Sequence, residues 1–249
     1  MNRAVKNTIF MLSLMLLPNM GRAQLKDNIE LNIFGGGSFY THKKFEVGFP
    51  QITNSAIGSA QSTAPVHGEL RLSNAVRGGV RLGVYTRGHW SEEFFYSYEP
   101  STAHIRRLSA PASSINLGIG VHNYGVTALY YFQENETRSV RPFASIGVGG
   151  TFYHLTPEAV SFASDPFRGN LPGINNSHEL ALNYGVGVKT RTSDWLGFRA
   201  DLRGFLEHVP SFGLPRESSD PNAAVFPVTG AIHNGEASVG VVFYFFNRR

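Results

Sequence analysis

Hydrophobic and polar positions alternate with a period of two over eight stretches of this chain. Ile29, Leu31 and Ile33 alternate with Glu30, Asn32 and Phe34. Val80, Leu82 and Val84 alternate with Arg81, Gly83 and Tyr85, and Phe94, Tyr96 and Tyr98 with Glu93, Phe95, Ser97 and Glu99. The same rhythm returns over 123–132, 145–152, 180–189, 196–207 and 238–245. Successive side chains of a strand point to opposite faces, so the rhythm predicts eight strands, each with one apolar and one polar face. Each stretch is near the 9–11 residues, roughly, that a tilted strand needs to cross hydrocarbon.

The links between these strands are uneven in a regular way. Short links near 87–92, 133–141 and 191–195 alternate with long ones near 41–75, 101–118, 156–178 and 209–234, which are rich in Ser, Pro, Asn and Gly. In an up-and-down barrel, every second connection lies at the same end. The expectation is therefore an all-β fold, an eight-stranded antiparallel up-and-down transmembrane β-barrel with short turns at one end and long loops at the other. The longest loop, 41–75, follows Tyr40 and carries Phe45, Phe49 and Ile52, apolar residues suited to meeting a partner or folding over the mouth.

The polar face indicates which side looks inward. It carries Arg77, Arg81, Lys189, Arg199 and Arg203 against Glu30, Glu93, Glu99, Asp201, Glu207 and Glu236, close to balance. Gly83, Gly125, Gly147, Gly149, Gly185, Gly187 and Gly240 sit among them. A solvated strand face avoids so many glycines, whereas a crowded lumen uses them to seat large neighbours. Basic residues are 17 Arg and 5 Lys, and arginine is the better partner for enclosed, forked pairing with carboxylates. An eight-stranded barrel is just wide enough to be filled by side chains, so the expectation is a plugged lumen. The rival architecture is a soluble secreted barrel with its apolar face turned in.

Composition narrows the classes further. With 42% hydrophobic residues, 16% charged residues and 27 glycines among 249, the chain is no disordered polyelectrolyte, coiled coil or collagen. It has no cysteine, hence no disulfide and no thiolate chemistry. Arg3 and Lys6 precede an apolar run over 9–17, Pro18 breaks it, and Gly21-Arg22-Ala23 puts small residues before Gln24. That is the layout of a cleavable signal peptide over 1–23, leaving 24–249 as the barrel domain. The leader holds three bases and no acid, so the remainder has nineteen bases and eighteen acids and no case for binding nucleic acid.

Three pieces of the chain resemble the small outer-membrane β-barrel proteins of Gram-negative bacteria, the OmpA-like and OmpW-like group. They are the Gly-rich strand, short turn and Glu-then-Tyr strand over 76–98, Arg141-Pro142-Phe143 opening a Gly-rich strand, and the last strand over 238–245. In that last strand Ser238, Gly240, Phe243 and Phe245 match the pattern the family shows to the outer-membrane insertion machinery. One departure is that Phe246, Asn247, Arg248 and Arg249 follow it. The resemblance, over about 28–246, implies cell outer membrane localisation, with outer-membrane lipid and that machinery as partners. No peptidoglycan-binding domain is expected after the barrel.

Candidate chemistry is sparse. Nine histidines are scattered without metal-ligand spacing, so no metal and no cofactor are expected. Glu207, His208 and Ser211 come nearest to a hydrolase cluster, but Pro210 separates them, and a strand end running into a loop is the favoured reading. Tyr85, Trp90, Tyr130, Tyr131, Phe132 and Trp195 gather at the short-turn end as interface aromatics. The expected function is a non-enzymatic structural or surface-interaction role, with an unknown extracellular ligand at the loops. The alternatives are a narrow porin-like channel for small solutes and, third, an outer-membrane lipid hydrolase.

Overall fold

A computed structural model describes residues 29–41, 43–47, 66–107, 113–133, 140–165, 167–169, 171–216, 226 and 230–245. The expected signal peptide, Phe49 and Ile52 lie outside them. The strands are β1 (Ile29–Tyr40), β2 (Lys43–Val47), β3 (Val66–Leu72), β4 (Val76–Arg87), β5 (Trp90–Arg107), β6 (Ser113–Tyr131), β7 (Val140–Leu155), β8 (Ser177–Arg191), β9 (Leu196–His208) and β10 (Ala231–Phe245). Among the described residues, one helix, α1 (Pro157–Ser164), precedes β8.

Eight of these strands close on themselves. Going round, the order is β5, β4, β1, β10, β9, β8, β7, β6 and back to β5, each pair antiparallel. Closure joins the first strand to the last, with Ile29 opposite Phe245 and Tyr40 opposite Asn234. A closed sheet has no edge, so its backbone hydrogen bonds are all satisfied from within.

The remaining two strands form a hairpin in the 41–75 link. β3 adds to the projecting end of β5, from Gly68 opposite Arg107 to Leu72 opposite Ala103. The expected long link 101–118 is also mostly strand, because β5 and β6 continue to Arg107 and from Ser113, paired throughout. Pro100 and the Ser-rich tract make this region look like loop in the sequence. Yet Pro100 falls between the β4 pairing, which ends at Tyr98, and the β3 pairing, which begins at Ala103. Such an edge position tolerates a missing N–H. Within the link 156–178, Thr156 caps α1 by accepting from the Ala159 N–H at 3.2 Å, with Pro157 in the first turn.

The two faces separate cleanly along the barrel wall. Ile33, Leu82, Phe94, Val126, Ile146, Val186, Phe198, Leu202 and Val239 point outward and are exposed. Arg77, Arg81, Glu93, Glu99, Lys189, Arg199, Asp201, Arg203, Glu207 and Glu236 point inward and are buried. Beyond Tyr98 on β5 and below Val121 on β6, the polarity inverts. Ala103, Ile105, Leu117, Ile119 and Val121 now face inward and are buried, while Arg106, Ser114 and Asn116 are exposed. An apolar outer surface matches hydrocarbon and a polar one matches water, so the inversion marks the level at which the surrounding medium changes.

Inward glycines seat large rings. A Cβ on Gly187 would strike the Phe143 ring and the Ala200 carbonyl, whereas one on Gly78 would find its nearest neighbour, the Phe34 carbonyl, at 3.8 Å. Gly187→Ala should destabilise the barrel by about 1–3 kcal/mol through overpacking, and Gly78→Ala should stay within roughly 0.5 kcal/mol of the parent. Chemical unfolding of the two variants in detergent micelles measures the contrast.

Candidate functional site: a bridged lumen under an apolar cap

The inward side chains form hydrogen-bonded groups stacked along the lumen. Near the turn end, the Lys189 ammonium donates to both Glu30 oxygens at 2.7 and 2.8 Å and to the Tyr131 hydroxyl at 2.7 Å. Arg141 lies over the Tyr131 ring, 4.1 Å from its centroid. At mid-height, Arg199 grips Asp201 with two bonds of 2.8 Å and also donates to Glu93, which takes a further bond from Arg203. Arg81 reaches Asp201 at 3.0 Å, Glu236 at 2.6 Å and the Ser238 hydroxyl at 3.0 Å. Above them, Arg77 donates to Glu99 at 2.9 Å, Asn234 at 2.9 Å and Glu236 at 3.3 Å, while the Tyr40 hydroxyl donates to Glu99.

The decisive contacts cross the interior. β5 and β9 are four strands apart in a ring of eight, hence diametrically opposite. Glu93 on β5 nevertheless pairs with Arg199 and Arg203 on β9. Arg81 on β4 to Asp201 on β9 and Lys189 on β8 to Glu30 on β1 each span three steps of the ring. Arginine permits this because its planar fork satisfies several acceptors at once.

Aromatic rings fill the space between the charges. The Arg81 guanidinium lies 3.6 Å from the Phe34 centroid, Arg199 4.6 Å from Phe143, and Arg203 and Arg77 5.5 and 5.4 Å from Phe95 and Phe205. A cation over a ring face is attracted by the ring quadrupole, the more so where water is excluded. These rings, with Tyr40, Tyr131 and Tyr153, are absent from the charge set proposed from sequence. Their signal was parity, since each occupies an inward position of its strand beside the charges.

An apolar cap closes the loop end. Leu70, Leu72, Ala103, Ile105, Leu117 and Ile119 share one buried apolar cluster with Ala159 and Ala163 of α1 and with Val209, Phe212 and Phe226. Phe212 adopts φ of 50°, unusual for a bulky residue, with Gly213 following at 75°. That turn places the buried Phe212 ring against Tyr153 and Phe226. The Tyr153 hydroxyl donates to Glu207 at 2.7 Å, so cap and lumen network meet at this pair.

The remaining residues singled out from sequence are dispersed. Ser238 belongs to the lumen network and donates to Glu236 at 2.9 Å. Gly240 gives way to Asn32 and Phe34, Phe243 stacks on Trp195 with centroids 6.4 Å apart, and Phe245 is exposed beside Ile29. Trp90, Tyr130 and Phe132 form a run of edge-on contacts at the turn end, with centroids 5.1 and 5.8 Å apart. Tyr85 lies in β4 opposite Ser91. Glu207 points inward while His208 is exposed on the opposite face, so Glu207, His208 and Ser211 do not assemble a hydrolytic triad. Among the described residues, no three His, Asp or Glu side chains converge on a metal site.

No family model matches this chain, and no curated protein matches it. Among solved structures, it is similar to the outer membrane protein OprG from Pseudomonas aeruginosa, at 12% identity and a TM-score of 0.48, covering 88% of this chain and 97% of that one. It is also similar to the outer membrane protein AlkL, solved in lipid bilayers, at 13% identity and a TM-score of 0.46, covering 88% and 91%. A third is Neisserial surface protein A, at 12% identity and a TM-score of 0.42, covering 86% and 97%.

The cross-lumen carboxylate is the point of greatest leverage. Removing Glu93 leaves Arg199 and Arg203 together in an enclosed space with Asp201 as their remaining shared carboxylate. Glu93→Ala should cost about 3–5 kcal/mol, read as a lowered denaturant midpoint in micelles with unchanged strand content by circular dichroism.

Proposed function

We propose that this chain is an integral outer-membrane barrel with an occluded lumen and a structural or surface-interaction role. The observation that carries the reading is the salt bridging of Glu93 to the opposite wall, which places paired charges across the bore where a channel needs water. The apolar cap over the loop end adds a second barrier above the network. The outward apolar belt supports the membrane setting, since soluble monomers rarely expose contiguous apolar patches beyond a few hundred Å², roughly. The barrel is the frame, the loop end faces the outside, and any extracellular ligand is met by the cap and the loops. Outer-membrane lipid and the insertion machinery, addressed by the last strand, complete the set of partners. No enzymatic role is proposed.

Planar bilayer recordings of the purified chain test occlusion. The expected result is a bilayer without stable, high-conductance steps, while carbonate-washed membranes retain the protein and its gel mobility shifts on heating. Reproducible steps under those conditions would establish the narrow-channel alternative. Release of the protein by carbonate would favour the soluble secreted barrel.

A further inference from the structure

Six of the nine histidines occupy a single zone of the barrel. His104, His122, His154, His178, His208 and His233 stand one each on β5, β6, β7, β8, β9 and β10. All take outward positions near the loop end, four of them exposed. Tyr98, His122, Phe152 and His178 form one register row across four strands, at the level where the outward face changes from apolar to polar. Lumen chemistry does not use them, because each points away from it.

The row has a built centre. Gly120 carries no side chain and pairs with His154. Gly120 is buried beneath the Tyr98 ring, and a Cβ there would lie 3.0 Å from a Tyr98 ring carbon, 3.5 Å from the Tyr98 hydroxyl and 3.7 Å from His122 Nε2. The other ring nitrogen of His122 is engaged with the Tyr96 hydroxyl at 2.7 Å, leaving Nε2 turned toward Gly120. Phe152 spaces the imidazoles, with centroids 5.6 Å from His122, 6.0 Å from His154 and 4.2 Å from His178. A hydroxyl and imidazole N–H groups gathered on one outer patch suit an anion bearing several acceptor oxygens.

The charges around it have the matching sign. Among the described residues, no Asp or Glu takes an outward position of β5 to β10 from Tyr96 to the loop end. Glu179, beside His178 in sequence, turns inward and accepts from the Ser177 hydroxyl at 2.7 Å. Farther along β6, Glu158 and Arg168 line a hollow with Asn116 and Gly118. His104 is held by Ser73 and Asn116 at 2.7 and 2.6 Å, and Arg106 is exposed beyond it.

We propose that this histidine belt, centred on Tyr98, His122 and His154 around Gly120, docks the phosphate of an outer-leaflet lipid, with His178 extending the contact. The inference rests on the membrane reading above, which puts the belt at the depth of the headgroups. A lipid phosphate is the occupant that this depth supplies, with acyl chains alongside the apolar belt beneath.

Native mass spectrometry of the detergent-purified barrel tests this with dioleoylphosphatidylglycerol, whose phosphodiester keeps its charge, and dioleoylglycerol, which has none. The parent should retain about fivefold more phosphatidylglycerol than dioleoylglycerol, as expected for a contact comparable to roughly one surface cation. His122→Gln with His154→Gln should abolish the difference, and His154→Gln alone, at an exposed ring, should reduce it. Equal retention by parent and variants, or equal retention of the two lipids by the parent, would overturn the proposal. Competition by millimolar inorganic phosphate as effective as by the lipid would overturn the lipid assignment. Each variant is first shown to be folded by its heat-dependent gel mobility, a property that also separates failure here from failure of the membrane reading.

Discussion

A charge enclosed by a closed sheet cannot retreat into water, and everything inside this barrel follows from that constraint. Twelve charged side chains among the described residues are buried on the inward face, and each would be prohibitive alone. They are tolerated because Glu93, Asp201, Glu236 and Glu99 alternate with Arg199, Arg203, Arg81 and Arg77, so that most carboxylates have two cations and most cations two carboxylates. Pairing across the bore does double duty. It removes the cost of burial and ties opposite walls together, so the same contacts that let the barrel exist also fill it.

The wall obeys the complementary rule. Backbone groups find their partners within the sheet, leaving the outward side chains to match whatever lies outside. Apolar residues match one medium and polar residues another, and the inward face takes the opposite character at each level. Where β5 and β6 project beyond Tyr98, the inside becomes a small apolar core of the kind found in soluble proteins, capped by α1 and Phe212. The barrel is thus two stacked solutions to the same packing problem, joined at Tyr153 and Glu207.

This two-level construction bears on how such a frame can work. A lumen held by charges and a cap held by apolar contacts respond to different perturbations, the first to loss of a partner and the second to loss of volume. The aromatic and imidazole side chains stand on the outer surface at the seam between the two levels. Tyr98 and Tyr124 lie over Gly120 and Gly150 of the neighbouring strands, covering backbone that would otherwise meet the surroundings bare.

Strand number, alternation, the two faces and the short turns were legible along the chain because they are local. A period of two needs only neighbouring residues, and a turn such as Arg87-Gly88-His89-Trp90 announces itself through its glycine, which takes φ of 58°. The set of inward charges was legible for the same reason, as a matter of parity. Which charge meets which was not, since Glu93 finds Arg199 only once eight strands close and set the stagger between opposite walls. Nor were the projecting β5–β6 ribbon and its cap. Ser, Pro and Gly between 100 and 118 carry loop propensity, and only β3 pairing alongside and α1 packing above make strand the better use of that segment. The histidine zone shows the limit most plainly. Six residues scattered over 130 positions became neighbours in depth because each strand returned to the same level, a relation that exists in the closed cylinder and nowhere along the chain.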